Sequence, residues 1–228
     1  MRVLGNAGGL FHLRDGVVIA VDSPGSPGAD TLLLSSGRIS AEDWTAALVE
    51  SVGTRSVRAA LVARGSIGSA EVEVVALAAL QDAAFAVAAG DIEQCVVSGD
   101  SAEVTPLAVD EGIGPDLLLS ETARRLDVVA SLPVPVSPYR DRVVAVSGVG
   151  VSTAERREIV AHATGRRTAR DIAFAVGRGV YPVVVEISRM LSEELLEIAS
   201  PATSFSFSHG DLTSLRPRAE VTEVERPV

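Results

Sequence analysis

The stretch Gly165-Arg166-Arg167-Thr168-Ala169-Arg170-Asp171-Ile172-Ala173-Phe174-Ala175-Val176-Gly177-Arg178-Gly179-Val180 decides how this chain is read, because it holds a complete short helix between two neighbours. Thr168 followed three residues later by Asp171 is the acidic form of a capping box. Gly165, Gly177 and Gly179 punctuate the helix ends. Upstream, Thr153 to Ala163 reads as a preceding helix; downstream, Val180 to Ala199 reads as a following one. That third helix repeats apolar residues at Val180, Val184, Ile187, Leu191, Leu195 and Ile198, which makes one continuous buried stripe. A strand over Arg142 to Val146 precedes the three helices. After them Thr203 to Gly210 alternates polar and apolar residues as an edge strand would. A strand, three helices and a terminal ribbon are the parts of a winged helix, expected over residues 142–212, with a flexible tail over 213–228.

Before this unit, Leu132-Pro133-Val134-Pro135-Val136-Ser137-Pro138 cannot continue a helix, so residues 132–141 are read as a Pro-rich linker. Residues 1–131 then form a mixed α+β domain. Gly9 to Leu13 and Val17 to Val21 flank Asp15-Gly16, a strong hairpin signal. A short helix over Ala29 to Ser36 ends at Gly37, and Ser40 caps the next, whose inner face is Trp44, Ala47, Leu48 and Val52. Ser56 to Ala89 reads as two helices with Val57, Leu61, Val62, Val72, Val75, Ala76, Ala79, Leu80 and Phe85 facing inward, and Ile92 to Val97 as a strand. Pro115 opens an amphipathic helix with Leu118, Leu119, Ala123, Leu126 and Val129 on one side and Glu121, Arg124, Arg125 and Asp127 on the other. The fold class is therefore α+β: an N-terminal mixed domain and a C-terminal winged-helix, or helix-turn-helix, domain.

A family resemblance rests on these residues. Leu10-x-His12-Leu13-x-x-Gly16-x-Val18-x-Ala20, Leu32-Leu33-x-x-x-Gly37-Arg38, Trp44 and Ser120-Glu121-x-x-Arg124-Arg125 resemble the bacterial PATAN domain, an α+β module of signalling proteins. The segment from Thr153 to Leu195 is similar to winged-helix regions of regulators from high-GC Gram-positive bacteria. Together these resemblances imply a transcriptional regulator and bring no catalytic residue or cofactor with them.

All 20 basic residues are Arg. Without Lys, P-loop, pyridoxal-phosphate, Schiff-base and protein-kinase chemistries are excluded. The single Cys95 can form neither an intramolecular disulfide nor a thiolate cluster and is expected as a small buried hydrophobe. His12, His162 and His209 are scattered without ligand spacing. Gly5-Asn6-Ala7-Gly8-Gly9 and Gly148-Val149-Gly150 lack the strand–turn–helix setting of a phosphate loop. No enzyme, metal or cofactor is expected. With no long apolar span and no secretory h-region, a cytoplasmic protein without membrane attachment is expected.

The net charge of −10 is unevenly distributed: residues 1–150 hold 10 Arg against 19 acids, residues 151–228 hold 10 Arg against 11. The acidity of the first part does not forbid DNA contact by the second. The DNA-binding candidates are Arg166, Arg167, Arg170, Arg178, Ser188 and Arg189, since in a helix-turn-helix the second helix and its turn lie on phosphates and the third reads bases. Against this, the outward side of the third helix holds Pro182, Val185 and Glu186, which resembles a packing face. The partner-docking candidates are Glu121, Arg124, Arg125 and Val185. Two functions stay open: a homodimeric transcriptional regulator, and a non-catalytic signalling adaptor whose degenerate winged helix mediates dimerisation or docks a receiver or small-GTPase partner.

Overall fold

A computed structural model describes residues 1–54, 56–99, 106–148 and 150–199. It is a mixed α+β protein with two small antiparallel sheets. The first sheet is built from β1 (Arg2–Gly5), β2 (Gly9–Arg14), β3 (Val17–Asp22) and β4 (Ile92–Val96), in the order β3-β2-β1-β4. The Asp15-Gly16 turn closes the β2–β3 hairpin with φ of 51° and 83°, the paired positive values that an Asp-Gly turn supplies at little steric cost. β1 was not legible in the sequence: its four residues, Arg-Val-Leu-Gly, bury only Val3.

Helices α1 (Ala29–Ser35), α2 (Ala41–Thr54), α3 (Val57–Ala63) and α4 (Ser69–Ala88) follow the hairpin. The Asp43 amide donates to Ser40 Oγ at 3.0 Å, giving α2 the cap expected of it. Its inner face is narrower than expected: Ala47 is fully buried, while Leu48 and Val52 are 39% and 84% exposed. α3 and α4 carry the expected inward residues except Val62, which is only half-buried. α4 is the spine of the molecule. Val72 and Val75 join Leu33, Leu61 and Ile67 in one cluster; Ala76, Leu80, Ala83 and Ala84 pack on Val18, Val21 and Leu118 in a second; Phe85 reaches a third. Its run Ala-Ala-Leu-Gln-Asp-Ala-Ala-Phe-Ala-Val has almost no polar side, because neighbours surround it.

α5 (Pro115–Ala130) crosses α4. Leu118 and Thr122 are buried and Leu126 and Val129 pack inward, but Leu119 and Ala123 are exposed. The expected face is rotated because α5 meets α4 at its start and the C-terminal half at its end. Residues 132–141 contribute the buried Val136 to the third cluster, and the Ser137 amide donates to Asp141 at 2.7 Å.

Beyond them come β5 (Arg142–Ala145), α6 (Ala154–His162), β6 (Thr164–Thr168), α7 (Ala169–Val176), α8 (Val180–Ser192) and β7 (Leu196–Ile198). The second sheet has the order β6-β5-β7. The capping box at Thr168 and Asp171 is fully formed, and Gly177 ends α7 at φ 63°. β6 was missed because Thr-Gly-Arg-Arg-Thr has no apolar alternation; β5 pairing holds it. The third helix is shorter than expected. Glu194 turns the chain at φ 60°, and Leu196 and Ile198 enter β7 rather than a last helical turn. Short apolar pairs fit either period, and here the open edge of β5 decides. The edge strand expected over Thr203–Gly210 and the tail lie outside the described residues.

The third cluster joins Val143, Ile159, Ile172, Val184, Ile187, Met190 and Leu196 to Phe85 of α4. The C-terminal elements thus share a core with the spine of the N-terminal ones.

Candidate functional site

Asp82 is the only charged residue of α4 beyond Glu73, and it is 4% exposed. Its carboxylate accepts the amides of Val180 at 2.6 Å and Tyr181 at 2.8 Å, and the Ser26 hydroxyl at 2.5 Å. Both amides belong to the first turn of α8, whose own capping residue, Gly179, has no side chain to offer. A helix start leaves its first amides without partners inside the helix, and a carboxylate placed there also meets the positive end of the helix dipole. Asp82 therefore caps α8 from another helix. A Cβ on Gly179 would meet that carboxylate at 3.0 Å. Sequence reasoning missed Asp82, although an isolated carboxylate in an apolar helical run signals a buried, paired acid.

Around this contact the two halves close. Phe85 and Tyr181 meet edge to face at 5.3 Å, and the Arg125 guanidinium lies over the Tyr181 ring at 5.0 Å. Arg125 also donates to Gln81 Oε1 at 2.7 Å and to Glu121 at 2.7 Å. The hydrogen bonds of Arg124 and Arg125 hold the Glu121 carboxyl down at about 2. Tyr139 donates its hydroxyl to Ala86 O at 2.6 Å, and burial pushes the phenol up to about 12.

The DNA-binding candidates separate into three groups. Arg170 is turned inward on the N-terminal half: it donates to Pro24 O, pairs with Asp171 at 3.2 Å and stacks on Phe174 at 4.8 Å. Arg167 bonds His162, and Arg178 holds a buried Nη1 with no partner among the described residues. Ser188, expected on the outward side of the third helix, is instead fully buried, and its hydroxyl has no partner among the described residues. The correction has a plain cause: α8 is packed by α7 on one side and by α4 and α5 on another, so Val183, Ser188 and Met190 join the stripe. Arg166 and Arg189 are exposed.

The outward side of α8 is tied to α6. Arg156 donates to Glu186 and to Glu193, each at 2.6 Å, and Arg189 lies 3.5 Å from Glu186. The Arg156 hydrogen bonds hold Glu193 below the usual carboxylate range. Of the docking candidates, Arg125 is a structural tie, Glu121 and Arg124 pair at 2.8 Å on the surface, and Val185 is half-buried.

His12 is 8% exposed and meets Asp22 at 2.7 Å; His209 lies outside the described residues. Cys95, expected to be buried, is exposed, because every residue of the edge strand β4 is. Among the described residues no group of His, Cys, Asp or Glu gathers as metal ligands, and no helix is long and apolar enough to cross a membrane. No protein-family model, curated protein or solved structure matches this chain.

Proposed function

We propose that the chain is a non-catalytic protein-docking module of a signalling system: a PATAN-like N-terminal part with a winged-helix-type C-terminal part built into the same body. The observation that carries this reading is the capture of the Val180 and Tyr181 amides by Asp82. In a winged-helix DNA reader the N-terminal residues of the third helix contact base edges. Here that end is committed to α4, Ser188 is inside, Arg170 is engaged with Pro24, and the outward side carries Glu186 and Glu193. What α8 does well in this arrangement is pack.

A docking surface is available on α5. Pro115, Leu119 and Ala123 follow one another at helical spacing and are all exposed, Leu119 by 69%, beside the Glu121–Arg124 pair. An apolar stripe with a charged border is the composition of a protein interface. A receiver domain or a small GTPase is the class of partner this reading implies. A benzophenone photo-crosslinker at Ala123, placed in the full chain in its native cells, tests it. The expected result is one discrete heterologous adduct that disappears when Leu119→Glu is added. Absence of an adduct, or one indifferent to Leu119→Glu, contradicts the reading.

A further inference from the structure

Where β5 and β6 approach the N-terminal half, an open cleft of about 480 Å³ is lined by Arg142, Arg166 and Arg170, with Asn6, Tyr139 and Asp171 among its walls. We propose that this cleft binds a small phosphoryl-bearing anion, such as the diphosphate part of a metabolite.

The pairing of β5 with β6 brings two arginines to the cleft. Arg142 is paired across the strands with Thr168, the register shifts before Val144 meets Thr164, and Arg142, Arg166 and Thr168 all line the cleft around this irregularity. The two arginines share the lining of one cleft. Like charges at such positions repel, and a bound dianion removes that cost. Among the described residues neither the Arg142 nor the Arg166 guanidinium has a hydrogen bond or ion pair, whereas those of most other arginines do.

The third arginine is held in place. Arg170 is fixed by Pro24 O, by Asp171 and by the Phe174 ring, so its guanidinium needs no ordering when a ligand arrives. Asp171 is the acid among the lining residues, and its carboxylate also accepts the Thr168 amide at 3.1 Å. Across the cleft Asn6 spends its carbonyl oxygen on the Asp91 amide at 2.9 Å, which leaves its NH₂ to donate. On a chain of net charge −10 the cleft concentrates guanidinium groups, and their planar forks match phosphoryl oxygens bidentately. A lone carboxylate would satisfy one of them. A diphosphate satisfies two and reaches the third. The volume suits a metabolite.

The test is isothermal titration calorimetry of the full chain with pyrophosphate, with inorganic phosphate and with a short DNA duplex, at matched ionic strength. The expected result is saturable binding of pyrophosphate, weaker binding of phosphate, and an affinity for pyrophosphate that falls at least tenfold in Arg142→Gln and in Arg166→Gln. Arg157→Gln, on α6 and outside the cleft, leaves it unchanged. The Arg142 and Arg166 side chains are exposed and have no partner among the described residues, so these variants are expected to keep the wild-type melting temperature without ligand, and the wild-type titration stands without them. The proposal is overturned by the absence of saturable heat, by equal affinity in the Arg142→Gln/Arg166→Gln double variant, or by a duplex that displaces pyrophosphate.

Discussion

The Asp82 carboxylate of α4 lies 2.6 Å from the Val180 amide and 2.8 Å from the Tyr181 amide, so the start of α8 is capped by a residue 98 positions earlier in the chain. Asp82→Ala removes the acceptor of two amides and the nearer acceptor of the Ser26 hydroxyl. Each buried unsatisfied donor costs roughly 1–3 kcal/mol, so a loss on the order of 3 kcal/mol or more is expected in urea denaturation. Asp82→Asn keeps one acceptor and should fall between the two. A loss below about 1 kcal/mol for Asp82→Ala would show that the contact does not hold the halves together.

Gly177 offers a second probe of the same junction. At φ 63° only glycine sits without strain, and an added Cβ would stand 2.1 Å from the Ser35 side chain, whose hydroxyl donates to Gly177 O at 2.9 Å. Gly177→Ala is expected to destabilise by about 1–3 kcal/mol through backbone strain and displacement of Ser35. Ser35→Gly in the same chain should recover the part due to the clash.

Ser188→Ala separates a packing role from a DNA-reading one. The hydroxyl is buried without a partner among the described residues, so its removal should leave stability unchanged or raise it by up to about 1 kcal/mol. A clear destabilisation in thermal unfolding would mean that the hydroxyl is bonded.

Two titrations have opposite signs. Tyr139 is neutral in the folded protein up to about 12, above the ordinary tyrosine value of 10.0. Its contribution is complete below the ordinary value and is lost as pH rises from there through about 12. Absorbance at 295 nm should show one tyrosine titrating late, and Tyr139→Phe should abolish that phase. Glu121, held at about 2 against an ordinary 4.5, contributes above 4.5 and loses that contribution as pH falls towards 2. Glu121→Gln should cost about 0.5 kcal/mol at neutral pH, as surface ion pairs do, and progressively less as pH falls from 4.5 through about 2.

The elements that announced themselves in the sequence are those with local causes. The Asp15-Gly16 hairpin, the Ser40 and Thr168 caps and the Gly177 stop are each settled by a few neighbouring residues. What was illegible depends on pairing or docking at a distance. β6 is a strand because β5 lies beside it, the exposed side of α5 follows from where α4 runs, and Ser188 is buried because α8 has neighbours on two sides. The arginines were legible as a group around the second helix, yet their sorting was not: Arg170 turns inward to Pro24 while Arg166 stands free beside Arg142, a residue that local spacing had no means of joining to it.

The measurement that bears most directly on the account is a mobility-shift titration of the full chain against fragmented genomic DNA at physiological salt. With the start of α8 closed by Asp82 and its outward side held by Glu186 and Glu193, no discrete retarded species is expected even at micromolar protein. A retarded band that withstands competitor DNA, and that Arg189→Ala or Arg166→Ala weakens, would contradict the account and make the chain a DNA reader.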